Sequence, residues 1–187
     1  MPNWCQNTVQ LIHQDKEKLN IFNSNLKKGV FFDFLRPELD NNPDWYHWRL
    51  NKWGCKWEAD VNHFSLDDDT LFVYFDTPWS PPIALYKYLV NLGWDVNATY
   101  SELGCEYCGQ FVSGLDYCID NIFDKFIAGE LPDWALEEVG YEIFTNLDDD
   151  GYIDEEGNLL KENKKGEFII DKKSGCWGHV HFLDKFV

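Results

Sequence analysis

Hydrophobic and polar positions along the first hundred residues switch between strand spacing and helix spacing. Residues 8–13 alternate apolar and polar side chains, which predicts a strand with one buried face. Asp15 precedes a segment with helical spacing and Gly29 follows it, so the two residues predict the start and the end of a helix. The apolar residues of this segment recur three or four positions apart: Leu19, Phe22 and Leu26.

The same patterns continue through the next sixty residues. Residues 31–54 are expected to form a long connection, and residues 57–66 and 70–76 predict two strands joined as a hairpin across three aspartates. Ser80, followed by two prolines, predicts a helix start, because proline lacks the N–H that the first turn leaves unpaired. Residues 94–101 predict a fourth strand. The order strand, helix, strand, strand, helix, strand predicts an α+β protein with a ferredoxin-like (βαββαβ) core.

This ferredoxin-like domain is expected over residues 1–115, and residues 116–187 are expected to form an acidic α/β extension packed on it. Residues 119–128 predict an amphipathic helix, and residues 132–139 predict a short one. Further strands are predicted at 110–117, 168–170 and 177–182, and residues 152–160 are expected to turn at Gly157 and Asn158.

Negative charge is concentrated in the second half of the chain. Residues 1–94 contain 12 acidic and 9 basic side chains, for a net charge of −3, whereas the remaining residues contain 21 and 7, for −14. Such a surface repels phosphate and attracts basic molecules. Two interpretations are open: a solvated face that keeps the protein soluble, or a surface that binds a basic partner.

Composition argues against several classes of protein. A hydrophobic content of 44%, with nine tryptophans, predicts a folded chain rather than a disordered one. The sequence contains no run of about 18 apolar residues, which a membrane span would need, and no apolar segment after a basic start, which a signal peptide would need. Neither a membrane span nor a signal peptide is therefore expected. The six cysteines are therefore expected as reduced thiols or metal ligands in a cytoplasmic protein.

Two pairs of side chains could together form a structural zinc site. Cys105 and Cys108 are three positions apart and precede Gly109, whose left-handed conformation would suit a zinc knuckle. Cys176 and His179 could supply the other two ligands, with His181 as an alternative to His179. The alternative is a set of unrelated thiols and a strand histidine. No cofactor is expected apart from this possible zinc ion.

Residues 146–154 match the first nine positions of a calcium-binding EF-hand loop. The glutamate required at position twelve is missing, since Gly157 stands there and Glu156 lies one place early. A polar turn at Asp150 and Gly151 is the preferred interpretation. No catalytic motif is present, so an enzyme is not expected.

Aromatic residues in the first half could stack on a base, a sugar or another ring. Phe72 and Tyr74 alternate as in binders that read RNA on an open sheet face, but Glu58 and Asp60 are expected on the neighbouring strand. Packing at a core edge is the alternative. The tryptophans concerned are Trp45, Trp48, Trp53, Trp57 and Trp79, and the nearby bases are Arg49, Lys52 and Lys56.

Four short segments resemble a family of phage- and plasmid-borne proteins typified by the plasmid protein YubB. They are Met-Pro-Asn-Trp-Cys-Gln-Asn at residues 1–7, Trp-Gly-Cys-Lys-Trp at 53–57, Thr-Pro-Trp-Ser-Pro-Pro at 77–82, and Glu102 with Gly104 and Gly109. The resemblance covers residues 1–114 and implies a ferredoxin-like fold and a mobile-element origin, with no established activity. The insertion at 105–108 and the acidic region after Tyr117 are expected to have no counterpart in that family.

The resulting hypothesis is a non-enzymatic phage or mobile-element protein that binds and inhibits a basic host protein. The expected partner is a defence nuclease or another complex that binds or processes nucleic acid, and the carboxylates would mimic phosphates. Asp116, Asp120 and Asp124 are spaced to form one stripe on a helix. The full expected contact surface is Asp116, Asp120, Asp124, Glu137, Glu138, Asp148, Asp149, Asp150, Asp154, Glu155 and Glu156.

Two alternatives remain open. One is a nucleic-acid-binding module that uses the tryptophan-rich half, and the other is a small-molecule binder with an aromatic pocket. The main hypothesis differs from the first in expecting no direct binding of nucleic acid. The sequence leaves the oligomeric state open.

Overall fold

The computed structural model describes residues 3–153, 160–162 and 168–170 and divides the chain into two compact units, Met1–Ile119 and Asp120–Val187. The first unit contains a six-stranded sheet with the strand order β2-β3-β1-β4-β5-β6. Its strands are β1 (Trp4–Ile12), β2 (Asp60–Asp67), β3 (Thr70–Pro78), β4 (Asp95–Glu102), β5 (Tyr107–Val112) and β6 (Leu115–Asp120). The predicted α+β class is confirmed, with an antiparallel sheet.

Four helices accompany this sheet: α1 (Lys16–Leu26), α2 (Phe32–Leu35), α3 (Trp45–Lys52) and α4 (Ile83–Asn91). The predicted cap of α1 is confirmed, since Asp15 Oδ1 accepts a hydrogen bond from the Glu17 N–H at 2.9 Å. The long connection expected at 31–54 instead contains α2 and α3. Among the described residues, no helix is both long and apolar enough to cross a membrane.

One face of the sheet lies against the hydrophobic core. Every second residue of β1 and β3 is buried, as the period-two geometry of strands requires. Helices α1 and α4 bury their apolar sides in the same cluster. The cluster includes Val9, Leu11, Leu19, Phe22, Leu71, Val73, Phe75, Leu85 and Leu89.

The second unit contains α5 (Ile122–Ala128), α6 (Asp133–Asp149) and the paired short strands β7 (Leu160–Glu162) and β8 (Phe168–Ile170). Helix α6 ends ten residues beyond the prediction of 132–139, because buried residues continue its helical period past Gly140. The strand predicted at 168–170 is confirmed as β8, and the segment 177–182 lies outside the described residues.

The chain between β4 and α5 differs from the prediction. The single strand expected at 110–117 is a hairpin of β5 and β6, whose turn residues Ser113 and Gly114 both have positive φ, at 54° and 79°. Asn121 also has a positive φ of 56°, so α5 begins after it rather than at Ile119. The acidic residues on either side of this turn therefore lie on different elements.

Candidate binding site at the Trp79 turn

Segments that are distant in sequence meet around Trp79. The Trp79 N–H donates to the carbonyl oxygen of Asn3 at 3.0 Å, and the Trp79 carbonyl oxygen accepts from the Tyr107 hydroxyl at 2.9 Å. The Ser80 hydroxyl donates to the Gly54 carbonyl oxygen at 3.0 Å. The four segments that carry the family resemblance are thus connected by hydrogen bonds.

The backbone of Trp79 is held in an unfavourable conformation. Its φ of 62° lies in the left-handed region, which a bulky side chain rarely adopts. Bonds on both sides enforce the turn: the Thr77 hydroxyl donates to the Ser80 carbonyl oxygen at 2.8 Å, and the Ser80 N–H donates to the Pro78 carbonyl oxygen at 2.9 Å. Strain of this kind concentrates at functional sites, so it makes this turn a candidate site.

The turn presents Trp79 beside a second exposed tryptophan. Trp79 is 43% exposed and Trp57 is 36% exposed, and their ring centroids are 5.6 Å apart with the planes tilted by 42°. The Lys56 Nζ lies 4.6 Å from the Trp57 ring centroid, 5.5 Å from that of Trp79 and 5.9 Å from that of Tyr46. We call Tyr46, Lys56, Trp57 and Trp79 the Trp79 cluster.

The segment 53–57 is positioned by its contact with α4. The Leu85 N–H donates to the Trp53 carbonyl oxygen at 3.1 Å, and Trp53 itself is buried, with its indole N–H bonded to the Arg36 carbonyl oxygen at 3.0 Å. Gly54 has a φ of 100°, and a Cβ there would lie 3.0 Å from the Ile83 backbone nitrogen. Only glycine allows this close approach without strain. Because Gly54 lies so close to the start of α4, the next residues Lys56 and Trp57 lie beside the Trp79 turn.

Buried polar side chains support the turn from inside the first unit. The Asn7 side-chain amide donates to the Thr77 hydroxyl at 2.9 Å and to the Cys5 carbonyl oxygen at 2.8 Å. Burial raises the pKa of the Cys5 thiol to about 12 and also raises the pKa of Cys55. Both thiols are therefore protonated near neutral pH and are poor nucleophiles.

Glu102 is a buried carboxylic residue beside this network. It is 4% exposed, and its Oε1 accepts from the Gly104 N–H at 2.8 Å. Within residues 3–153, its Oε2 has no hydrogen-bond partner. The Cys105 thiol is exposed, and its hydrogen bond to Glu102 raises its pKa.

Of the four proposed zinc ligands, the structure describes Cys105 and Cys108. Cys105 is exposed in the turn before β5, Cys108 is fully buried in β5, and Cys176 and His179 lie outside the described residues. Among the residues that the structure describes, no three His, Cys, Asp or Glu side chains are grouped as metal ligands. A zinc ion in this protein stays a prediction.

The expected role of Gly109 in a zinc knuckle is wrong. The left-handed residue of this turn is Glu106, with a φ of 56°. Gly109 lies in β5 opposite Tyr100, and a Cβ at Gly109 would come within 2.2 Å of the Tyr100 ring. Glycine is required because the aromatic ring covers that position.

The tryptophans considered as stacking residues have different environments. Trp53 is a core residue, Trp48 is half-buried against the core, and Trp45 is 40% exposed on α3. Phe72 and Tyr74 do share the sheet face opposite the core, as expected, and Tyr74 is 42% exposed.

The expectation that Glu58 projects from the strand next to Phe72 and Tyr74 is wrong. Glu58 precedes β2, and its carboxylate accepts from the N–H groups of Phe32 and Asp33 at 2.6 and 2.9 Å. These are the first two N–H groups of α2, which the helix itself leaves unpaired.

The acidic stripe expected on one helix is not observed. Asp116 and Asp120 lie on β6, and only Asp124 lies on a helix, because the turn at Asn121 separates the strand from α5. The Asp116 carboxylate accepts from the Tyr100 hydroxyl at 2.6 Å, so it has a partner within the first unit. The i, i+4 spacing was therefore misleading in this segment.

The remaining acidic residues of interest lie on α6 or outside the description. Glu137 is exposed on α6, Glu138 is half-buried there, and the exposed Asp148 and Asp149 lie in its last turn. Residues 146–149 are helical, which is incompatible with the EF-hand loop, whereas the preferred turn at 150–151 is observed. Asp150 is the C-cap of α6, and Asp154, Glu155 and Glu156 lie outside the described residues.

Comparisons with known proteins identify one relationship. No family model matches the chain, and no solved structure matches it. An alignment with one known protein covers 88% of the chain, which is far more than residues 1–114. The expectation that the acidic region has no counterpart is therefore wrong. The chain is similar to the uncharacterized protein YubB of Escherichia coli (strain K12), with 28% identity over 169 residues that span 88% of this chain and 92% of that protein.

Proposed function

We propose that this protein is a non-enzymatic binding protein that contacts a basic protein partner through the Trp79 cluster. The observation that carries this proposal is the pair of exposed rings, Trp57 and Trp79, on a strained turn that hydrogen bonds to Asn3 and Tyr107 hold in place. The protein maintains this conformation at a cost of about 1–3 kcal/mol, which a purely structural turn could avoid with glycine.

The chemistry of the cluster favours a partner rich in lysine and arginine. Tryptophan and tyrosine are enriched among the residues that dominate the energy of protein interfaces. The faces of their rings carry negative potential and attract cations, and the net charge of −17 extends that attraction over the whole protein. Complementary charge would speed association and make it depend on salt.

A basic groove that normally binds nucleic acid is the partner surface that best fits this charge. In this proposal, exposed carboxylates of α6 occupy positions on the partner that phosphates otherwise fill, and the partner is inhibited as a result. The host defence or DNA-processing protein expected from the sequence remains our proposed target. The α6 carboxylates concerned are Asp133, Glu137, Asp148 and Asp149.

Fold and origin belong to the same proposal. We propose a ferredoxin-like core, supported by the order β2-β3-β1-β4 of the first four strands and by α1 and α4, which follow β1 and β3 in sequence. Strands β5 and β6 then extend this core at one edge. The similarity to YubB supports a common family, for which we propose a phage or plasmid origin and a cytoplasmic site of action.

Nucleic-acid binding is the second candidate. The observation in its favour is the exposed ring of Tyr74 on the same sheet face as Phe72, where stacking on bases is possible. Charge opposes it, since the first 94 residues have a net charge of −3 and Asp60 pairs with Asp76 on that face.

Binding to a defined partner tests the proposal. Immobilised protein would capture basic proteins from an Escherichia coli lysate, and each captured protein would be purified and titrated against the wild type and two variants. We expect Trp57→Ala to weaken binding by about tenfold or more, as for an interface hot spot. Tyr74→Ala is the matched control, because it removes an exposed ring outside the cluster, and it should change the affinity less than twofold.

Two results would contradict the proposal. One is a purified partner whose affinity is the same for the wild type and Trp57→Ala. The other is binding of single-stranded DNA or RNA at about 150 mM salt, lost in Tyr74→Ala, which would establish the second candidate instead.

A further inference from the structure

We infer that the Trp79 cluster is a cage for an alkylammonium group, and that Lys56 occupies this cage until a lysine side chain of the partner replaces it. The inference deepens the proposed function, on which it relies only for the source of the incoming lysine. The cage itself is a property of this chain.

Three rings face a single ammonium group. The Lys56 Nζ lies within 6 Å of the centroids of Tyr46, Trp57 and Trp79, at 5.9, 4.6 and 5.5 Å. Aromatic cages of this kind are a recurring way to recognise ammonium groups, because the ring faces attract a cation without requiring directed hydrogen bonds. The protein thus places one of its own ammonium groups within 6 Å of all three ring centroids.

Lys56 is held in the cage only weakly. The described part of the chain contains no ion pair for Lys56, although Cys55 before it is buried and bonded to the Trp57 carbonyl oxygen at 3.3 Å. Its backbone is therefore anchored while its side chain is free to leave. A contact that depends on ring faces alone can be exchanged for a similar contact from outside.

Arg49 shows what a fixed cation looks like in the same region. Its guanidinium carbon lies 5.3 Å from the Trp45 ring centroid and 4.8 Å from that of Trp53, but its Nε is also bonded to Glu38 at 2.7 Å. The Glu38 side chain is only 10% exposed, which makes this pair part of the packed structure. Lys56 lacks such a carboxylate, and this difference identifies the Lys56 position as the exchangeable one.

The shape of the cluster favours an ammonium group over a guanidinium group. Trp57 and Trp79 are tilted by 42° rather than parallel, so one flat group cannot stack on both rings at once. A planar guanidinium would stack well on one of these rings but not on all three. The incoming group is therefore the ammonium of a lysine, with or without methyl groups.

Small ammonium probes test the cage without the partner. Tetramethylammonium chloride, choline and N-acetyl-lysine-methylamide with zero or three ε-methyl groups would be titrated while the NMR signals of the tryptophan indoles are followed. We expect Lys56→Ala to bind tetramethylammonium about tenfold more tightly than the wild type, because the internal competitor is gone. Lys52→Ala removes a nearby charge on α3 without emptying the cage and should match the wild type.

Specificity and the role of the rings need two further comparisons. The neutral analogue of choline, 3,3-dimethyl-1-butanol, should bind Lys56→Ala at least tenfold more weakly than choline does. Trp57→Ala, in the Lys56→Ala background, should abolish choline binding. In the wild type, saturating tetramethylammonium should move the ring-shifted ε-CH₂ signal of Lys56 towards its value in a free lysine. The lysine probes then show whether methylation strengthens binding.

The inference is overturned if Lys56→Ala binds tetramethylammonium no better than the wild type, or if the neutral analogue binds as well as choline. An unshifted ε-CH₂ signal in the wild type without a probe would overturn it independently of any variant. If the ammonium titration gives a negative result, the partner titration with Trp57→Ala can still support the proposed function. If no basic partner is found, the ammonium titration can still support the cage. The two failures can therefore be distinguished.

Discussion

At the scale of single residues, Gly109 is the position where a small change should cost most. A Cβ there would lie 2.2 Å from the Tyr100 ring, and Tyr100 is itself buried and bonded to Asp116. Because the ring cannot move without breaking that packing, we expect Gly109→Ala to lower the free energy of unfolding by about 3 kcal/mol. Urea unfolding monitored by tryptophan fluorescence measures this change.

A double-mutant cycle shows whether Tyr100 is the cause. In a Tyr100→Ala background, Gly109→Ala should cost less than about 0.5 kcal/mol, since the ring is gone. Gly93→Ala is the control, because its Cβ would meet open space at a φ of 88°. Its cost, about 1 kcal/mol from the backbone alone, should be the same in both backgrounds. A full penalty for Gly109→Ala without the Tyr100 ring would contradict this explanation.

Residue patterns predicted the local features and missed the ones that depend on distant contacts. Asp15 was recognisable as a cap because its partners are two and three positions away. The φ of Trp79 was not recognisable, because bonds to Asn3 and Tyr107 hold it. The role expected for Gly109 was wrong, because the residue that requires a glycine there, Tyr100, lies on another strand.

At the scale of elements, Glu58 links the start of α2 to the segment before β2. Its carboxylate accepts from the N–H groups of Phe32, Asp33 and Ala59 at 2.6, 2.9 and 3.0 Å. We expect Glu58→Gln to lower the free energy of unfolding by about 1–3 kcal/mol at pH 7, because the NH2 group of a glutamine must face at least one of these three backbone donors. Glu17→Gln, an exposed change on α1, should cost only a few tenths.

The pH dependence of this difference has a defined sign. Burial raises the pKa of Glu58 above its ordinary 4.5, against the lowering effect of its backbone hydrogen bonds. The folded protein therefore binds the proton more tightly than the unfolded chain, and stability rises as the pH falls through the raised pKa. The deficit of Glu58→Gln should be larger at pH 5 than at pH 7 in urea titrations. A deficit that shrinks towards pH 5 would contradict a raised pKa.

Element boundaries followed from the sequence where apolar spacing was regular. Strands β1 to β4 and helix α1 were placed within a few residues, since the buried positions of β1 and α1 repeat with periods of two and of three to four. Helix α6 was ended too early at a buried Gly140, and the β5–β6 turn was missed although Ser113 with Gly114 is a recognised turn signal. The incorrect acidic stripe came from a second missed turn, at Asn121, which separates β6 from α5.

At the scale of the whole molecule, sequence patterns could not predict that the four segments with a family resemblance meet in space. Hydrogen bonds join residues as far apart as Asn3 and Cys105, and such contacts have no periodic signature. Their shared resemblance to one family marked them as related, but only the structure shows that they meet around Trp79. The candidate site was therefore visible in sequence as parts and not as a site.

The excess of carboxylates makes a prediction about salt for the molecule as a whole. The net charge is −17, because 33 acidic side chains outnumber 16 lysines and arginines, so the carboxylates repel one another across the protein. Raising NaCl from about 20 mM to about 500 mM shortens the screening length from roughly 20 Å to roughly 4 Å. We expect Tm to rise by a few degrees, at about 3 °C for each kcal/mol of repulsion removed.

A variant of α6 connects this salt effect to particular charges. Asp148 and Asp149 lie in the last turn of α6, at the negative end of the helix dipole, where that turn contains no basic residue. Replacing both with asparagine should stabilise the protein at low salt by about 0.3–1 kcal/mol for each carboxylate removed, and Tm should rise accordingly. The further rise of Tm on adding NaCl should then be smaller than in the wild type. Differential scanning calorimetry at several NaCl concentrations measures both. A Tm of the wild type that is independent of NaCl would show that the charges do not interact across the surface. Long-range attraction of a basic partner would then lose its physical basis, because the electrostatic field that destabilises the folded protein is the same field that would attract the partner.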